Sequence, residues 1–313
     1  MSLHTDAEMA PPNIGAINAV PQDGFNQPVN RPAVPNQNPD APNNLPATPM
    51  GQMPAPNNLT PNVADTIGLN HGRIGYVNHA FNAGFDATSS PETVAAIGTP
   101  STWERWHPVD GGAQEITITF TENKTVNYIG LAGYDLVGST VAIQSSSGLT
   151  GSFTTIETLT DFDAPSRMVL LNEFTALRVK LIVTRTEPIN LGVVYLGEAL
   201  ALQRATRGGV TPAPLNQMTS YNTEFSAAGQ ILGRVINSEG VETKVSLRNL
   251  TDDWYRSEFQ PFVKAAKTTP FFYLWNPRDY PNDCIYGVSS KDIAPTLQGG
   301  KKFMDVSFNI EGA

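Results

Sequence analysis

Short stretches in which apolar and polar residues alternate recur along most of this chain. Gln114-Glu-Ile-Thr-Ile-Thr-Phe120 is the clearest; strict alternation turns one side-chain face inward and the other to water. Val126-Asn-Tyr-Ile-Gly-Leu131, Thr140-Val-Ala-Ile-Gln144, Phe153 to Leu159, Met168-Val-Leu-Leu171, Ala176-Leu-Arg-Val-Lys-Leu-Ile-Val183 and Leu191-Gly-Val-Val-Tyr-Leu196 follow, separated by Gly, Ser, Asp and Pro clusters. Strands this short and this closely spaced predict an antiparallel β-sandwich over residues 63–201.

A second β-rich region is expected over residues 217–313. Thr223 to Phe225, Gln230 to Val235 and Glu242 to Leu247 read as strands, and Phe303-Met-Asp-Val-Ser-Phe-Asn-Ile310 alternates cleanly. Between them the pattern changes period. Tyr255, Phe259 and Phe262 or Val263 recur at spacings of three and four, which predicts a helix near 251–266 with one aromatic face. Thr251 is the expected N-cap, and Asp252 and Asp253 suit the positive end of the helix dipole. Pro261 should kink or end the helix near Phe259. Phe271-Phe-Tyr-Leu-Trp275 is then a continuous apolar run, long enough for one fully buried strand and too short for a helix.

Residues 1–62 show neither period. Prolines recur throughout, Asn, Gln and Ala fill most gaps, and Ala41-Pro-Asn-Asn-Leu45 returns as Ala55-Pro-Asn-Asn-Leu59. Such a composition cannot bury a core, so an extended Pro/Asn-rich arm is expected, partly polyproline II, with a reach on the order of 150–190 Å. Its scattered apolar residues, Ile14, Ile17, Val20, Phe25, Val29 and Leu45, are the expected anchors on neighbouring proteins. Residues 202–216 read as a linker. The expected fold is therefore mainly β: a sandwich and a C-terminal β-rich domain with one helix, preceded by an arm.

Composition narrows the chemistry. The formal net charge is -9 and only 16% of residues are charged, with no basic stripe, so no nucleic-acid partner is expected. No run approaches 18 apolar residues, so no membrane span is expected, nor does the N-terminus carry a signal-peptide pattern. The single cysteine, Cys284, excludes an internal disulfide. The histidines His4, His71, His79 and His107 lack partners at zinc-ligand spacing. No nucleophile elbow or phosphate loop is present. The chain reads as a non-enzyme without cofactor or metal. Asp135, Asp161 and Asp163 fall in inter-strand loops and are better read as turn residues than as calcium ligands.

Thr102-Trp-Glu-Arg-Trp-His-Pro108 holds the most informative pair. Exposed tryptophans stack on the apolar faces of sugar rings, so Trp103 and Trp106 are the candidate ligand-binding residues. The competing reading is that one or both plug the base of the sandwich.

Two resemblances follow from these stretches. Val126 to Leu131, Val141 to Ser145, Gly151 to Ile156 and Ala176 to Leu181 resemble the discoidin, or coagulation-factor C-type, sandwich. That resemblance implies a jelly roll binding glycans, lipids or proteins through loops at one end. Gly229-Gln-Ile-Leu-Gly-Arg234, Asp253-Trp-Tyr255, Phe259-Gln-Pro-Phe262, Pro270 to Trp275 and Met304 to Phe308 resemble tail-associated structural proteins of tailed bacteriophages. It implies a virion component of the tail, tail tip or neck, assembled in the host bacterial cytoplasm. Its expected partners are other virion proteins and copies of itself in a ring or collar. The alternative is a carbohydrate-binding adhesion module whose partner is a host-surface glycan.

Overall fold

The structure, a computed structural model, describes residues 68–312 apart from 110, 207–209, 300 and 301. The chain enters through β1 (Arg73–Gly75) and continues as β2 (Gly84–Ala87), β3 (Gly112–Ala132), β4 (Thr140–Ser146), β5 (Thr154–Leu159), β6 (Ser166–Arg185), β7 (Val193–Gly197) and β8 (Leu200–Ala201). The second half supplies β9 (Gln217–Phe225), β10 (Ile231–Thr251), β11 (Phe271–Leu274), β12 (Cys284–Ser289), β13 (Pro295–Leu297) and β14 (Phe303–Gly312). The fold is mainly β, and the strand pairs described are antiparallel.

The sequence predicts separate strands at Gln114 to Phe120 and Val126 to Leu131; the structure joins them as the single long strand β3. Its pairing with β6 shifts register between Thr119 and Lys124 and again between Val126 and Tyr128. Such irregularities let a strand bend and pass from one layer to another. The first half of β3 pairs with β2 and the second half of β6, which continues to β4 and β5. The second half of β3 pairs with β7 and the first half of β6. Two layers result, and the alternating residues close a core between them. Ile116, Ile118, Val141, Ile143, Val179 and Leu181 come from the first layer, and Ile129, Leu131, Val194 and Leu196 from the second. This is the antiparallel sandwich expected from the alternation.

The second layer is buried on its other face too. Val193 and Tyr195 of β7 alternate with Val194 and Leu196 and point away from the sandwich core. They meet Phe272 and Leu274 of β11 and Cys284 and Tyr286 of β12. Phe272 lies 4.6 Å from the Tyr286 ring and 5.3 Å from that of Tyr195, centroid to centroid. Gly130 permits this contact, since a Cβ there would come within 2.5 Å of the Phe272 ring. The tyrosines keep their hydroxyls bonded: Tyr195 donates to the Pro270 carbonyl (3.1 Å), Tyr286 to that of Pro100 (2.8 Å) and Tyr128 to that of Val77 (2.6 Å). A buried phenol without such an acceptor would destabilise the contact.

The large sheet runs β8-β1-β11-β12-β14-β10-β9, so β1 and β8 join the C-terminal strands across the sequence between them. Its far face carries Phe271, Tyr273, Ile285, Val245, Leu247, Val306 and Phe308 under the helical segment. That segment starts as α1 (Asp252–Trp254), widens into a π turn (Tyr255–Phe259) and resumes as α2 (Gln260–Ala265). The helix therefore continues past Phe259. Pro261 falls in the first turn of α2, where its missing N–H is tolerated. Thr251 occupies the N-cap position without its side chain capping the helix; its hydroxyl instead accepts from the Gln203 amide at 2.8 Å. Phe259 and Phe262 are fully buried, with Phe262 edge-on to Phe271 at 4.8 Å.

At the other end of this sheet, β9 and the first half of β10 run on beyond the core as a two-stranded ribbon. Met218, Tyr221, Phe225, Ile231, Leu232, Val235 and Ile236 are all exposed on it.

Candidate ligand-binding site

The two tryptophans separate completely. Trp106 has no exposed surface; it bridges Leu191 through both backbone bonds, and its indole N–H donates to the Ser89 carbonyl at 3.0 Å. It belongs to the sandwich core with Ile97, Leu136 and Leu191. Trp106 is therefore a core residue, and of the expected pair only Trp103 faces solvent. Trp103 is 90% exposed. Three residues in an irregular loop carry the chain from one side of the core wall to the other, which is why the spacing alone could not assign them.

The Trp103 loop is held locally. The Trp103 and Glu104 N–H groups both point to the Ser101 hydroxyl, at 3.3 and 3.4 Å, and the Arg105 Nε donates to the Thr102 carbonyl at 2.9 Å. Ser101 thus makes a side-chain turn of the kind that fixes short loops. Glu104 and Arg105, next in the chain, line an open recess of about 480 Å³ together with Glu92, Thr93, Ala95, Ala96 and Thr99. One wall is the 3₁₀ turn Val94–Gly98, whose Val94 and Ile97 are buried and anchor it to the core. Glu92, Glu104 and Arg105 bring two carboxylates and a guanidinium to the recess, while the Thr93 and Thr99 hydroxyls donate to the Ser90 and Ala96 carbonyls. Glu104 and Arg105 follow Trp103 in the chain, yet nothing in their pattern marked them as site residues. Glu92, Thr93 and Thr99 carried no signal, because the fold brings them there.

The other sequence candidates lie elsewhere. The Asp135 carboxylate accepts from Arg185 at 3.0 Å. Asp161 sits at a positive φ of 63° and its carbonyl accepts from Arg167. Among the described residues no group of three or more His, Cys, Asp or Glu is placed to hold a metal ion. His71 Nδ1 lies 3.0 Å from the Leu202 carbonyl, while His79 is half-buried and its pKa is lowered by burial, with nearby Lys124 adding to the effect. Cys284 is buried, and burial pushes its thiol well above the usual range. Among the described residues no helix is long and apolar enough to cross a membrane. The arm anchors Ile14, Ile17, Val20, Phe25, Val29 and Leu45 lie outside the described residues.

No family model matches the chain, and no curated protein matches it. Solved structures do. Over 39% of its length the chain is similar to chitosan-binding module 1 of a chitosanase/glucanase from Paenibacillus sp. IK-5, at 22% identity, 98% coverage of that module and a TM-score of 0.35. It is likewise similar to CpGH89CBM32-5 from Clostridium perfringens, in complex with GalNAc-β-1,3-galactose, at 15% identity, 39% and 99% coverage and a TM-score of 0.35. The family 32 carbohydrate-binding module of Streptococcus pneumoniae EndoD gives 16% identity, 39% and 99% coverage and a TM-score of 0.34. Nothing among these comparisons supports a phage-tail origin.

Proposed function

We propose that this protein is a non-catalytic carbohydrate-binding adhesion protein, with the sandwich as its recognition module and Trp103 as the stacking platform. The observation that carries the reading is the exposed side chain of Trp103, followed in the chain by Glu104 and Arg105, which line a recess with Glu92. A large apolar ring left in water is costly, and a sugar face covers it while the neighbouring charged groups bond the hydroxyls. The first probes are chitotriose and GalNAc-β-1,3-galactose, the ligands named for similar modules, followed by a wider oligosaccharide panel. Binding by the full chain is expected on at least one probe. Trp103→Ala is expected to weaken it by about 2 kcal/mol, roughly 30-fold, without changing the circular dichroism spectrum. Binding that survives Trp103→Ala unchanged overturns the site.

The second reading is a structural subunit of a tailed-phage virion, joined to neighbours through its arm and C-terminal domain. The apolar ribbon of β9 and β10 favours it, because such a surface fits assembly better than solvent. On this reading, deleting residues 1–62 leaves the rest folded and lowers incorporation into particles. Normal incorporation of the shortened chain removes it.

A further inference from the structure

A two-stranded ribbon is marginally stable alone in water, and here it is also apolar. Tyr221 pairs across the ribbon with Ile236, and Phe225 with Ile231. Cross-strand partners share a face, as do residues four apart on a strand, so these four side chains form one apolar face. Their exposures run from 46% to 70%. Val235 pairs with Asn222 and lies on the opposite face.

We propose that the face of Tyr221, Phe225, Ile231 and Ile236 packs against the same face of a second copy of this chain. An extended peptide would add to the edge of β9 and leave these side chains in water, whereas another sheet face, stacked ~10 Å away, covers them. The four side chains expose on the order of 400 Å² per copy, so two closed faces bury about 800 Å² of them alone. Thr219 at one margin and the Thr223–Arg234 pair between the two apolar pairs bring the contact to the ~1,000 Å² that a specific interface needs. Charge permits the pairing. The chain carries a net charge of -9, yet its charged residues between Gln217 and Val241 are only Glu224, Arg234 and Glu239. Arg234, paired with Thr223 within the face, lies over the Tyr221 ring at 3.4 Å, so its charge is held against an aromatic surface.

Sedimentation velocity of the unliganded full chain tests this, independently of any sugar. Twice the monomer mass is expected at micromolar concentration. Phe225→Glu with Ile236→Glu is expected to raise the midpoint concentration of dimerisation by at least about 30-fold. The melting temperature of the body should persist, since neither residue touches its core. Val235→Glu, on the other face, is expected to leave the dimer intact. A full chain that stays monomeric overturns the proposal. So does a dimer that Val235→Glu and the double variant weaken equally.

Discussion

Strand β11 and the ribbon of β9 and β10 belong to one sheet and live in opposite surroundings. Every residue of β11 is buried, Phe271 and Tyr273 under the helix and Phe272 and Leu274 against the sandwich. The outer ribbon is bare on both faces, with Ile231 at 70% exposure. The difference shows what each end of the sheet does. The β11 end is the joint that fixes the sandwich to the C-terminal strands. The ribbon end is an apolar surface that no described residue covers, and so is available to a partner.

The largest way to break the joint is alkali. Tyr128, Tyr273 and Tyr286 are all raised above the usual phenol range, chiefly by burial. For an acid whose folded pKa lies above its unfolded value, the stabilisation is complete below the unfolded pKa, near 10. It falls as pH rises toward the folded value. Ionising any of the three phenols therefore weakens the fold progressively above pH 10, and the losses act together on a folding free energy of typically about 5–15 kcal/mol. We expect cooperative alkaline unfolding, followed by circular dichroism, with phenolate absorbance rising in the same transition. Phenolate absorbance that rises well before the fold is lost would show that the joint is open.

Next come the rings themselves. Phe272→Ala is expected to cost about 3–5 kcal/mol, as is Phe259→Ala on the helical side. Both are read as a fall in denaturant midpoint. The tryptophans repeat the contrast within three residues. Trp106→Ala should cost a similar ~3–5 kcal/mol, while Trp103→Ala should leave stability within about 0.5 kcal/mol. Equal effects from the two would show that the loop packs differently.

How much of this was legible in the sequence depended on whether one side chain or a whole run carried the signal. The run Phe271 to Leu274 announced a doubly buried strand because no polar residue interrupts it. The aromatic spacing of Tyr255, Phe259 and Phe262 announced the helix. The continuity of β3 was hidden, because Thr121-Glu-Asn-Lys-Thr125 reads as a turn although the backbone continues through it as a bend. The same happened in β10, where Asn237-Ser-Glu-Gly240 looks like a turn and stays strand. The assignment of Trp103 and Trp106 to opposite sides of the core wall was not legible, since an irregular loop has no period. The recess was not legible either, because Glu92 and Arg105 meet only through tertiary folding.

The smallest expected effect gives the most exact comparison, because it uses one substitution twice on one strand. Val235 and Val245 both lie on β10, the first 64% exposed and the second fully buried. Valine to threonine keeps the shape and the β-branch, so strand preference hardly changes. What changes is a methyl for a hydroxyl. At Val245 that hydroxyl enters a core of Leu247, Phe308 and Ile310. It gains no partner among them, and about 1–3 kcal/mol should be lost. At Val235 water already reaches the side chain, and the face is the one opposite Tyr221 and Ile236. Thermal melts of the full chain should therefore place Val235→Thr within about 0.5 kcal/mol of the parent, with its dimerisation midpoint also unchanged. A loss at Val235 comparable to that at Val245 would mean that something covers this second face as well, and the ribbon would then be an interior strand pair of a larger assembly.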